Sequence, residues 1–188
     1  IDPPPDRVKP VPLGLLRDVH EAARLSGDIF ELAVADMAMI ALFYLCRPGE
    51  YAATTSLSSR SDPFRLQDVE CAVHHGVFRA SMVDMAHISL VHFISLVFTT
   101  QKNGVLGEKI GHGKSNEPYA CPVQATMRRV QHLRTFSALP DTPLYVTYYK
   151  NKWKPVTSTD ITKALRLMAA QKFTTYGLAP SEISARSL

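Results

Sequence analysis

Residues 29–46 form one apolar run, IFELAVADMAMIALFYLC, in which only Glu31 and Asp36 carry charge. Ala33, Met37, Ile40, Ala41 and Tyr44 recur at helical spacing, and the intervening positions are nearly as apolar. The run therefore predicts a helix enclosed on all sides rather than one lying on a surface. Such a helix needs other elements around it, and 188 residues that are 46% hydrophobic and 20% charged supply one core of that kind, not two. The two acids interrupt the run too early for a membrane span, and no signal-peptide pattern opens the chain, so a soluble intracellular protein with no membrane partner is expected. The helix has to stop near Cys46, because Pro48 drives Arg47 out of the α conformation and Gly49 follows. Arg47 and Glu50 then project from the end of a buried helix.

The remaining signals describe an α+β, mainly helical domain over residues 13–188, preceded by a Pro-rich linker over 1–12. A short strand is expected at 76–79. A second at 92–100 has Ile94, Leu96 and Phe98 on one face, and the Asn103-Gly104 pair then turns a hairpin whose tip carries Lys102. A glycine-spaced segment over 105–114 returns beside it. Pro122 suits the first turn of a helix over 122–136, with Val123, Met127 and Val130 inward and Arg128, Arg129 and His132 outward. Thr157 with Asp160 reads as a capping box that opens a helix carrying Ile161, Ala164, Leu165 and Met168. Gly177 and Pro180 close it, and Ser181 opens a last helix that runs to Leu188 without a capping signal.

The net charge of +4 is unevenly spread: residues 101–135 hold six basic and two acidic side chains, and the rest of the chain holds fifteen of each. Lys109, Lys114, Arg128, Arg129 and Arg134 are thereby candidates for salt-dependent contact with a phosphate backbone. Arg47 on a rigid element can donate two hydrogen bonds to a phosphate, and a carboxylate three residues on can hold it in register. Taken singly, Arg47 is an ordinary helix-end cation and Lys102 a turn lysine, and Lys109 or Lys114 can replace Lys102 in any chemical role. Cys46, Cys71 and Cys121 are an odd number without CxxC spacing, so reduced buried thiols are expected. The histidines at 74, 75, 87 and 92 lack the spacing of a metal site, and no metal or cofactor is expected. Tyr145, Tyr148, Tyr149 and Trp153 read as packing rather than as a stacking platform.

In order along the chain, the apolar helix leading to Arg47-Pro48-Gly49-Glu50, the FTTQKNG hairpin, the CPV-initiated helix and Ser184-Ala185-Arg186-Ser187-Leu188 resemble the catalytic domain of the tyrosine recombinases, or phage-type integrases. The wording of FTTQKNG and ISARSL is most similar to integrases of eukaryotic mobile elements, which implies a nuclear setting. The resemblance implies a tyrosine-recombinase-like core and a metal-free attack of a tyrosine on a DNA phosphate. A 3′-phosphotyrosyl link forms and the 5′-hydroxyl leaves. Arg47 and Arg186 would neutralise the phosphate, Lys102 would protonate the leaving oxygen and Glu50 would orient Arg47. Double-stranded DNA is the implied partner, with a homo-oligomer assembled on it. Arg186 departs from the family, standing where its second box usually has histidine. The second arginine of that box and the nucleophilic tyrosine would fall beyond Leu188, so this chain by itself is expected not to cut. Two other functions fit the same residues: a non-catalytic DNA-binding module of the same fold, and a basic protein-interaction domain.

Overall fold

A computed structural model describes residues 8–53, 62–74, 76–99, 107–117 and 119–188. The apolar run folds as a helix, α2 (Ile29–Tyr44), packed against α1 (Leu13–Ser26), α4 (Pro122–Thr135) and α5 (Ser158–Gln171). Asp28 starts it, accepting hydrogen bonds from the backbone N–H groups of Phe30 (2.7 Å) and Glu31 (3.0 Å). Leu45 ends it in the left-handed conformation (φ 52°). Ten of its residues are buried, including every member of the expected stripe.

Asp36 is the one buried charge inside that helix, and it is matched rather than exposed. Arg128 of α4 donates to it through Nε (3.0 and 3.2 Å) and Nη2 (2.6 Å), and His20 Nε2 of α1 lies 3.1 Å from the same carboxylate. A carboxylate out of water is tolerable only with such partners. The pair ties the three helices at one level.

A four-stranded antiparallel sheet, in the order β2 (Gly76–Arg79), β1 (Val69–Val73), β3 (Phe93–Phe98), β4 (Glu108–Gly113), covers another side of the core. Ile94, Leu96 and Phe98 face inward as their alternation requires. On the opposite face the Phe93 ring lies over Gly111, where a Cβ would come within 2.4 Å of it, so glycine there is a packing requirement. A two-stranded hairpin, β5 (Val146–Tyr149) and β6 (Lys152–Pro155), joins α4 to α5. α5 opens on the expected capping box, with Asp160 accepting from Thr157 N–H (3.0 Å) and Thr157 Oγ1 from Asp160 N–H (3.1 Å). The short helices α3 (Pro48–Tyr51) and α6 (Phe173–Tyr176) complete the helical set. All three cysteines are free and buried, and no helix among the described residues is long and apolar enough to cross a membrane.

Three expectations need correction. No helix grows from Ser181; Pro180–Glu182 and Ala185–Ser187 are single 3-10 turns separated by an extended Ile183. The Ser184 hydroxyl captures Arg186 N–H (3.2 Å), which competes with helix propagation. The segment before residue 13 is part of the folded unit from Lys9 onward: Lys9 N–H donates to Glu182 O (2.7 Å), Val11 N–H to Ser187 O (3.1 Å), and the Val11 side chain is buried. Arg129 and His132 do not face outward. Arg129 is 2% exposed and donates to the carbonyls of Leu144 (3.1 Å) and Val146 (2.6 Å), while His132 Nε2 accepts from Tyr148 N–H (2.8 Å). Both are used to attach β5 to α4.

Truncating Ile40 to Ala in the centre of α2 should lower the unfolding free energy by about 2–5 kcal/mol in a urea titration. His132 supplies a second test. Burial, and then the nearby charge of Arg129, push its pKa down from 6.5 to about 4. Below pH 6.5 the unfolded chain takes up a proton at this site that the folded chain refuses, so its stability contribution is intact above pH 6.5 and drains away as the pH falls towards 4. Chemical denaturation across that window should give a pH slope that flattens in a His132→Gln variant.

Candidate nucleic-acid interface

The Arg47 turn is built from local rules. Leu45 breaks α2, Arg47 adopts the extended conformation imposed by the following proline (φ −80°, ψ 152°), and Pro48 occupies the first position of α3. Glu50 is buried, and its carboxylate accepts from the Arg47 backbone N–H (2.7 Å) while its own N–H returns to Arg47 O (2.8 Å). Glu50 thus holds the Arg47 backbone rather than its guanidinium, and the Arg47 side chain is left exposed. Among the described residues the Arg47 guanidinium has no ion-pair partner.

The next residue links this turn to the other end of the chain. Tyr51 is fully buried and its hydroxyl donates to Ala185 O at 2.5 Å, across 134 residues of sequence. The same 3-10 turn is gripped from α5, where Thr162 Oγ1 accepts from Ala185 N–H (2.9 Å) and Arg166 Nε donates to Ile183 O (3.0 Å). Arg186 emerges exposed from it. Two cations with solvent-facing heads therefore leave two rigid turns that share one buried hydrogen bond. Burial raises the Tyr51 phenol and the neighbouring Cys46 thiol well above their ordinary pKa values, so both stay protonated near neutral pH.

A third segment meets the same corner. Phe64 N–H donates to Glu50 O (3.0 Å), and the Phe64 ring packs edge-on against Phe98 at 4.7 Å between centroids. Phe98 is the last residue of β3, and Gly107 N–H bonds its carbonyl (2.8 Å) where the chain returns towards β4. The two described ends of the β3–β4 connection thus stand beside the Arg47 turn. Lys102 lies outside the described residues.

The other cations named from sequence are engaged within the protein. Lys109 pairs with both carboxylate oxygens of Glu70 at 2.9 Å, and Lys114 donates to Ser89 O (3.0 Å). Arg128 serves Asp36, Arg129 serves two carbonyls, and Arg134 donates to the carbonyls of Ala80 and Val83. The α4 arginines therefore do not form the free basic face that their run suggested. The sequence marks Tyr51 only as the residue after Glu50 and assigns it no role, and it gives no sign of Thr162 or Arg166. Nothing local to Tyr51 says which distant carbonyl its hydroxyl will meet.

Comparison with protein-family models, with curated proteins and with solved structures finds no match. A Tyr51→Phe variant should lose about 0.5–1.5 kcal/mol of stability and shift the amide resonances of Ala185 and Arg186. Unshifted resonances there would show that Tyr51 does not hold the turn.

Proposed function

We propose that this chain supplies the phosphate-binding half of a DNA strand-transfer site of the tyrosine-recombinase type. The observation that carries the reading is the buried Tyr51 hydrogen bond to Ala185, which couples the exposed Arg47 turn to the exposed Arg186 turn. A transferring phosphodiester carries its negative charge on two non-bridging oxygens. Without a metal, preorganised guanidinium donors are the natural way to neutralise it. In the proposed step a tyrosine oxygen bonds to phosphorus and its phenolic proton passes to water, the bond to the 5′-oxygen breaks, and Lys102 gives that oxygen its proton. Glu50 keeps the Arg47 backbone in place and takes no part in the bond changes.

The non-catalytic alternative has one observation of its own. By the resemblance Arg186 would stand at the family's histidine position, and a guanidinium does not exchange protons near neutral pH. A single experiment separates the readings. The protein, expressed from its full reading frame, is incubated with a pool of nicked duplexes, and covalent protein–DNA adducts are separated by denaturing electrophoresis. The enzyme reading expects an adduct that forms about 10²–10³-fold more slowly with Arg47→Ala. Salt-sensitive DNA binding without any adduct would leave the binding module, and no DNA binding would leave the protein-interaction domain.

A further inference from the structure

We propose that the β5–β6 hairpin is a second nucleic-acid contact, one that grips a phosphate backbone at the opposite end of α2 from Arg47; the idea rests on reading the Arg47 corner as a DNA site. Residues 142–159 contain Lys150, Lys152 and Lys154 and no acid. With the α4 arginines committed to internal partners, this is the densest group of cations in the described residues that forms no ion pair there. Lys150 and Lys152 are exposed.

The hairpin is held stiffly, which separates it from a solvated loop that happens to be basic. Tyr149 pairs with Lys152, leaving a two-residue connection in which Lys150 (φ 50°) and Asn151 (φ 62°) are both left-handed, the turn that matches the twist of a two-stranded ribbon. The Tyr149 hydroxyl donates to Asp28 (2.8 Å), and the Lys154 ammonium sits 3.3 Å from the centre of the Phe30 ring. The backbone that carries Lys150 and Lys152 therefore has little freedom to lose on meeting a ligand.

Three closely spaced lysines with no acid between them complement a line of phosphates. Trp153 is 42% exposed and Phe136 40%, and Tyr148 packs against both rings. Trp153 alternates with Lys152 and Lys154 along β6, so this aromatic surface occupies the other face of the ribbon, and the lysines alone supply the backbone contact. Asp28 and Phe30, which anchor the hairpin, lie at the start of α2, and Arg47 lies just past its end. The 16 residues of α2 span about 24 Å. That distance is about seven base-pair rises of a duplex.

The experiment measures binding of the full chain to a 30-base-pair duplex by fluorescence anisotropy over a series of salt concentrations. Lys150→Gln/Lys152→Gln is compared with Lys163→Gln/Lys172→Gln, which removes the same charge from exposed positions elsewhere. The hairpin variant should show a log–log salt slope shallower by about 1.8, since each lost phosphate contact removes about 0.9, and the control should not change. Circular dichroism of both variants should match the parent. Equal slopes for the two variants would overturn the hairpin contact, as would a loss of binding to phosphatidylserine vesicles with DNA binding untouched. A slope that falls with Arg47→Ala/Arg186→Ala but not with the hairpin variant would sink this inference alone. The converse would keep the hairpin and sink the Arg47 reading.

Discussion

A helix whose central stretch, residues 33–41, is buried on all sides is the constraint from which the other features of this protein follow. That stretch of α2 cannot expose a face, so α1, α4, α5 and β5 have to surround it, and the only charge it carries into that space is Asp36. Arg128 meets Asp36 with three contacts between 2.6 and 3.2 Å. Removing either partner would strand the other in a poorly solvated place, a situation that costs several kcal/mol in known cases. The pair therefore fixes the level at which α4 crosses α2, and everything attached to α4 inherits that level.

The two ends of α2 have different uses. Its first turn holds the β5–β6 hairpin through Asp28 and Phe30. Its last turn delivers Arg47, whose backbone is kept by Glu50 and whose neighbour Tyr51 reaches the Ala185 turn. α2 thus carries a basic feature at each end. The cations in between are spent on internal acceptors, so the formal charge of a segment is a poor guide to the charge it presents to solvent.

What was legible in the sequence was local. α2, the inward face of β3, the break at Arg47-Pro48 and the Thr157–Asp160 box were all readable, because each depends on residues within a few positions of one another. α1, β1 and the β5–β6 hairpin were not singled out, although Leu15, Leu16, Val19 and Ala23 of α1 do form an apolar stripe. The reading of α4 failed at Arg129 for a physical reason. Periodicity assigned it to the polar face, but the carbonyls of Leu144 and Val146 provide acceptors that make burial of a guanidinium tolerable, and no pattern within α4 announces them. The helix expected from Ser181 gave way to 3-10 turns because Ser184 and the partners of Ala185 hold the backbone in another shape.

The sequence by itself determined the buried helix, its abrupt end and the exposure of a cation just beyond it, since apolar periodicity and proline stereochemistry act over one or two turns. Only the tertiary structure decided which cations are free. That outcome depends on acceptors far along the chain, Asp36 for Arg128 and two carbonyls for Arg129, and a hydrogen bond takes no account of sequence separation. It also decided that Arg47 and Arg186 leave neighbouring turns, through a tyrosine whose hydroxyl finds a carbonyl 134 residues away.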